Sequence, residues 1–258
     1  MTVHTLIIRT AGTNCDEETR FAFEQASSEV ILLHINRVIE NPTVLDRAQI
    51  LALPGGFSYG DDIAAGRIHA NELRTKLGDR LEQFVDDGKL VIGICNGFQI
   101  LAKTGLLPGP FAPDAEQTVT LTHNNSNQFE DRWVHLRADS DKSPFVRKGQ
   151  TLYLPVAHGE GKFVARDRRT LDDLKGNGQV VLRYVDSDGN TGAGYPANPN
   201  GSADDIAGIC DVTGRVLGLM PHPERHILPT QHPRWTREGP ADAGDGLQMF
   251  RNAVDYFA

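Results

Sequence analysis

Leu90-Val91-Ile92-Gly93-Ile94-Cys95-Asn96-Gly97-Phe98-Gln99-Ile100-Leu101 carries a short apolar run into a glycine-flanked cysteine and out into a helical pattern. A brief, almost wholly apolar strand followed by a helix points to a parallel sheet covered on both faces. The form Gly93-x-Cys95-x-Gly97 is that of a nucleophile elbow, a sharp strand-to-helix turn that lifts a reactive side chain above the sheet. Small residues two before and two after are needed because the tight turn brings its backbone against its neighbours. A helix N-terminus favours a thiolate there. The backbone amide of Asn96, just after the cysteine, is aimed where an oxyanion would form.

Working outward, the first half alternates strands and helices. Thr5–Thr10, Val30–Ile35, Gln49–Leu53 and Leu90–Ile94 read as strands. Helices are expected over Glu17–Ala26, capped by Asp16, over Leu73–Val85, and from about Asn96 to just before Gly105. From residue 118 the pattern changes to short strands with short connections: Val119–Thr122, Trp133–Arg137, Thr151–Val156, Val180–Val185, Ile206–Asp211 and Val216–Met220. Leu247–Phe257 is a closing amphipathic helix, and Ser187–Ser202 and Ile227–Gly246 are long loops of the kind that carries function. The expected architecture is α/β: a mostly parallel central sheet with helices on both faces, plus a small antiparallel sheet from the second half, in a single domain over 1–258.

Composition narrows the function. With 26 Lys+Arg against 34 Asp+Glu the net charge is −8, which argues against nucleic acid as the main partner. No apolar run approaches the roughly 20 residues that span a bilayer. The N-terminus reads as a strand, not a signal peptide. Cysteines at 15, 95 and 210 are odd in number and far apart, with no CxxC, so neither a zinc site nor a disulfide framework is expected and a reduced, cytoplasmic setting fits. No metal is expected on this chain. Cys15 and Cys210, lacking an elbow or a base, read as structural thiols.

A thiolate nucleophile needs a base, and the base needs an orienting group. His222 in Leu219-Met220-Pro221-His222-Pro223-Glu224 stands two residues before a carboxylate at the end of an apolar strand. The prolines favour an extended backbone, in which residues i and i+2 point to one side. Glu224 would then hold one ring nitrogen of His222 and leave the other for Cys95. A third strand end, Leu53-Pro54-Gly55-Gly56-Phe57, lets a backbone amide approach a substrate carbonyl, and Gly56 is expected as the second oxyanion donor. A rival His/Glu pair, His158 and Glu160, lies in Pro155-Val156-Ala157-His158-Gly159-Glu160-Gly161.

Gly93-Ile94-Cys95-Asn96-Gly97-Phe98-Gln99 together with Pro221-His222-Pro223-Glu224-Arg225 resembles the class I, triad-type glutamine amidotransferases, which have a flavodoxin-like fold. The finer resemblance is to the glutaminase subunits of phosphoribosylformylglycinamidine synthase. It rests on Arg9–Asp16, on Leu53-Pro54-Gly55-Gly56-Phe57-Ser58-Tyr59-Gly60-Asp61-Asp62, on Pro155–Phe163 and on Asn198-Pro199-Asn200-Gly201-Ser202. Thr122–Trp133 and His232-Pro233-Arg234-Trp235 resemble instead the glutaminase domain of the large single-chain form. A Met start and a closing helix at 258 fit a free-standing subunit.

The resemblance implies that Cys95 attacks the glutamine side-chain amide, His222 protonates the departing ammonia, and Glu224 orients His222. It implies Phe57 and Gln99 at the glutamine pocket, and Asn124, Asn125, Ser126 and Phe129 as contacts for the glutamine α-groups. His158 and Glu160 are expected at the mouth of the site or at a synthetase interface. There is no G-x-x-x-x-G-K-[ST] loop, so ATP and Mg²⁺ would belong to a synthetase large subunit, with or without a small accessory subunit, that receives the ammonia in purine biosynthesis.

Overall fold

The computed structural model describes residues 2–111, 116–239 and 241–258. In the first half, β1 (His4–Arg9) leads to α1 (Asp16–Gln25) and β2 (Glu29–His34). Two short helices, α2 (Ile35–Glu40) and α3 (Val44–Arg47), precede β3 (Ile50–Leu53). The long α4 (Arg67–Asp86) precedes β4 (Leu90–Ile94), and α5 (Asn96–Thr104) follows it. The strands pair in parallel in the order β2-β1-β3-β4, since helical crossovers return each strand in the same direction. Every residue of β4 is buried, as a strand covered on both faces requires.

The second half supplies β5 (Val119–Thr122), β6 (Glu130–Ala138), β7 (Thr151–His158) and β8 (Lys162–Ala165). After α6 (Arg168–Gly176) come β9 (Val180–Val185), β10 (Ile206–Cys210) and β11 (Val216–Leu219). β11 inserts parallel beside β4, and β10, β9, β6 and β7 continue antiparallel, making one nine-stranded sheet of order β2-β1-β3-β4-β11-β10-β9-β6-β7. The separate antiparallel sheet is the pair β5-β8. Most of the appended strands therefore extend the central sheet. Two further helices, α7 (Trp235–Glu238) and α8 (Leu247–Asp255), end the chain, and α8 packs on α1 through an edge-to-face contact of Phe23 with Phe250 at 4.9 Å.

Boundaries moved where local signals were weak. α4 begins at Arg67, ahead of the expected Leu73, because its first turns bury only His69 and Ala70. Ile35 opens α2 instead of closing β2: the His34 ring accepts the Asn36 N–H and caps the helix. α6 escaped the periodicity reading because only Leu171 and Leu174 are buried; its start is fixed by the Asp167 side chain, which accepts the Thr170 N–H. α7 lies inside the expected loop 227–246, whose residue 240 is outside the described residues. Among the described residues no helix is long and apolar enough to cross a membrane.

Candidate active site

Cys95 occupies the turn between β4 and α5 with φ 52° and ψ −104°, outside the regions that L-residues populate readily. The strain persists because the surroundings dictate it. A Cβ on Gly97 would overlap the Leu53 carbonyl oxygen, and one on Gly93 would sit 2.6 Å from the Gly97 oxygen. The Cys95 N–H donates to Leu219 O at 2.8 Å, which pins the elbow to the end of β11. Cys95 thus stands at the N-terminus of α5, as the sequence led one to expect.

β11 carries the chain to His222, whose N–H donates to Pro155 O at 2.8 Å. The pairing of His222 with Glu224 is present but its cause differs from the expected extended backbone. Pro223–Arg225 form a turn of 3₁₀ helix, with Pro223 at the first position, where its fixed φ fits and its missing N–H is not needed. The turn folds Glu224 back so that its Oε1 lies 2.6 Å from His222 Nδ1. Both side chains are buried. His222 Nε2 has no hydrogen-bond partner and lies buried in the cleft that Cys95 lines. Burial opposes protonation of His222, but the Glu224 carboxylate and the Cys95 sulfur outweigh it and hold the imidazolium well above the usual range.

Gly55 is the hinge of the arrangement. A Cβ there would lie 2.8 Å from His222 Cε1, 3.1 Å from Cys15 Sγ and 3.4 Å from Cys95 Cβ, so only glycine lets these three groups converge. Gly56 has φ 136° and bridges Thr13, while the Phe57 N–H donates to Gly12 O at 2.9 Å and the Tyr59 N–H to Ala11 O at 2.8 Å. The Gly56 N–H donates to no group among the described residues. Asn96 ties this loop to α5: its Oδ1 accepts from the Ser58 N–H and hydroxyl, and its Nδ2 donates to Asp61 and Gln99. Gln99 in turn donates to Glu160 O at 2.6 Å.

These elements enclose a cleft of about 310 Å³. Phe57, Gln99, Phe129, His158 and Glu160 line it together with Cys95 and His222. The segment Asn124–Ser126 does not. Asn124 is buried, donating to Gln128 O and His158 O and accepting from the Gly161 N–H and His158 Nδ1; its bonding capacity is spent on holding the β7–β8 turn. The Asn125 N–H donates to Asn200 O, and Ser126 donates to Glu130. The Asn198–Ser202 end of the first long loop is a clasp for the same turn, since Asn200 donates to Gly161 O and Ser202 Oγ accepts the Phe163 N–H.

Cys15 is the residue that sequence reasoning missed. Read from the sequence as a structural thiol, it lines the cleft, 4.0 Å from His222 Nδ1 and 3.2 Å from the Arg225 guanidinium. Burial pushes its thiol up, against the opposing hydrogen bond with His222. Its approach depends on the 10–15 loop bridging to the segment after β3, for which no local spacing is a signal. Cys15, His222 and Glu224 are also the one group of three or more ligand-type side chains, among the described residues, with atoms within 4.8 Å of one another.

Residues 2–257 match the CobB/CobQ-like glutamine amidotransferase domain. The chain is 51% identical over 255 residues, 98% of it and 97% of its relative, to the phosphoribosylformylglycinamidine synthase subunit PurQ of Dehalococcoides mccartyi. The chain belongs to this glutamine amidotransferase family. It is 42% identical to the corresponding subunit of Methanococcus maripaludis, covering 98% of the chain and 96% of that protein. Among solved structures, PurLQS from Thermotoga maritima contains a chain matched end to end, with 100% coverage of both, 31% identity and a TM-score of 0.75. A putative GMP synthase subunit from Thermoplasma acidophilum shares the amidotransferase fold alone, at 14% identity and a TM-score of 0.56 over 99% of this chain and 94% of that one.

Proposed function

We propose that residues 1–258 form one amidotransferase domain that is the glutaminase subunit of phosphoribosylformylglycinamidine synthase. The observation that carries this reading is the buried His222–Glu224 pair, with His222 Nε2 unpartnered in the cleft that the strained Cys95 lines. The sulfur of Cys95 attacks the side-chain amide carbon of glutamine. The Gly56 and Asn96 N–H groups receive the charge that develops on oxygen. His222 gives a proton to the departing nitrogen, ammonia leaves, and a thioester remains. His222 then takes a proton from water, which attacks the thioester and releases glutamate and the Cys95 thiol. Glu224 keeps His222 oriented throughout. Phe57, Gln99 and Phe129, with His158 and Glu160, shape the pocket.

The ammonia passes to a synthetase large subunit, which activates formylglycinamide ribonucleotide with ATP and Mg²⁺. The PurLQS composition of the Thermotoga maritima relative supports a third, small subunit. The free buried thiols fit a cytoplasmic setting. The test is Cys95→Ala in the reconstituted complex. Glutamine-dependent synthesis should vanish, while synthesis from ammonium salts should continue because the ATP site lies elsewhere. Glutamine turnover near wild type would remove Cys95 as the nucleophile.

A further inference from the structure

A second cavity of about 300 Å³ opens between α4 and α5, on the other side of the 61–67 turn from the cleft. Arg67, Asn71 and Arg74 stand at i, i+4 and i+7 on α4 and so share one helix face. Lys103, near the end of α5, approaches from the opposite wall. None of the three cations has a carboxylate within ion-pair distance among the described residues, although most arginines of this chain do. Their heads donate no hydrogen bond among those residues either. Lys103 is only partly exposed; its burial lowers its proton affinity, Glu160 and Asp61 oppose that, and the charge of Arg67 adds to it. Among the described residues, three cations without a carboxylate partner thus line one concavity in a protein of net charge −8, and the charge of Arg67 is felt at Lys103.

We propose that this cavity binds the phosphate group of a small phosphate ester. The guanidinium forks of Arg67 and Arg74 match phosphate oxygens in pairs, and Lys103 adds a point charge from below. The Asn71 side chain, which donates to no group among the described residues, lines the same face. Ile63, exposed at the rim, and Ile68 offer an apolar wall for the rest of the ligand, and the volume suits a sugar phosphate or nucleoside monophosphate. Lys103 lies one helical turn from Gln99, so the two cavities share the body of α5.

The test is calorimetric titration of the full chain with inorganic pyrophosphate and with adenosine 5′-monophosphate at fixed ionic strength. Saturable, one-site binding of either probe is expected. The Arg74→Gln/Lys103→Gln double variant should bind at least about tenfold more weakly, whereas Arg168→Gln, on the exposed face of α6, should bind as the unaltered chain does. Arg67→Gln alone, read by broadening of the ³¹P resonance, covers the case in which the double variant fails to fold. The proposal is overturned if neither probe saturates, if the double variant binds as tightly as the unaltered chain, or if only an acidic peptide such as oligoglutamate binds.

Discussion

His222 and His158 border the same cleft with opposite electrostatics. His222 is held charged by Glu224 and the Cys95 sulfur. Burial, reinforced by the charge of His222, drives His158 down to about 3. The Asn124 amide donates to two carbonyls, so its oxygen can only accept, and His158 Nδ1 must be the donor in their 3.1 Å hydrogen bond. His158 is therefore a neutral ring, fixed by the turn that carries it. Replacing His222 with Ala should lower glutamine turnover by about 10²–10⁴. Glu224→Ala should cost less, and His158→Ala less than His222→Ala at saturating glutamine. The reverse order in steady-state assays would make His158 the base. That Cys95, His222 and Glu224 come together was legible because each sits in a short local pattern of glycines or prolines. Cys15 and Arg225 were not, because their place beside His222 is set by packing between segments far apart in the chain.

Among the elements, the β7–β8 turn leans on one side chain, Asn124. Asn124→Ala would leave the buried Gly161 N–H without its partner and take one donor from the His158 carbonyl. A loss of roughly 1–3 kcal/mol is expected for an unsatisfied buried group, measurable as a lower urea midpoint. Because Asn124 does not line the cleft, KM for glutamine should stay close to that of the unaltered chain; a tenfold rise would restore the glutamine contact expected from sequence. The parallel half of the sheet was readable from alternating apolar runs and helices. The destination of the later strands was not, since nothing in Val216–Leu219 announces that it inserts beside β4 while its neighbours run antiparallel. The four-residue β8 and the polar α6 carry too few buried side chains for their periodicity to register.

For the molecule as a whole, two buried histidines lower stability in acid, against the opposite contribution of His222. His69 and His158 are both depressed to about 3, chiefly by burial, and neither His69 nitrogen has a hydrogen-bond partner. The unfolded chain takes up protons at these residues as pH falls below about 6.5, while the folded chain does not until about 3. Stability is thus intact above that window and lost progressively within it, by roughly 2 kcal/mol per histidine at pH 5. Urea midpoints measured from pH 7.5 to 5 should fall, and His69→Leu should make the fall shallower. Coupling to the synthetase is a second expectation at this scale. The free Gly56 N–H sits on a glycine pair whose peptide can reorient, and Asn96 links the following loop to α5. The isolated chain should hydrolyse glutamine about 10²–10³ more slowly than the complex charged with ATP and acceptor, the value of one oxyanion donor. Equal rates in the two states would dispose of the coupling.

The position of β11 between β4 and β10 also sets a timetable. Cys95 is translated well before His222, by about 6–25 s at ordinary elongation rates. Until Val216–Leu219 arrives, β4 is the open edge of a four-stranded parallel sheet, and Leu219 is not there to anchor the elbow. The nascent chain therefore exposes an apolar strand edge in the ribosomal vicinity, a site where chaperones or a sister chain could pair. It also carries Cys95 with no imidazole of His222 beside it, so the pair cannot act together until residue 222 has been made.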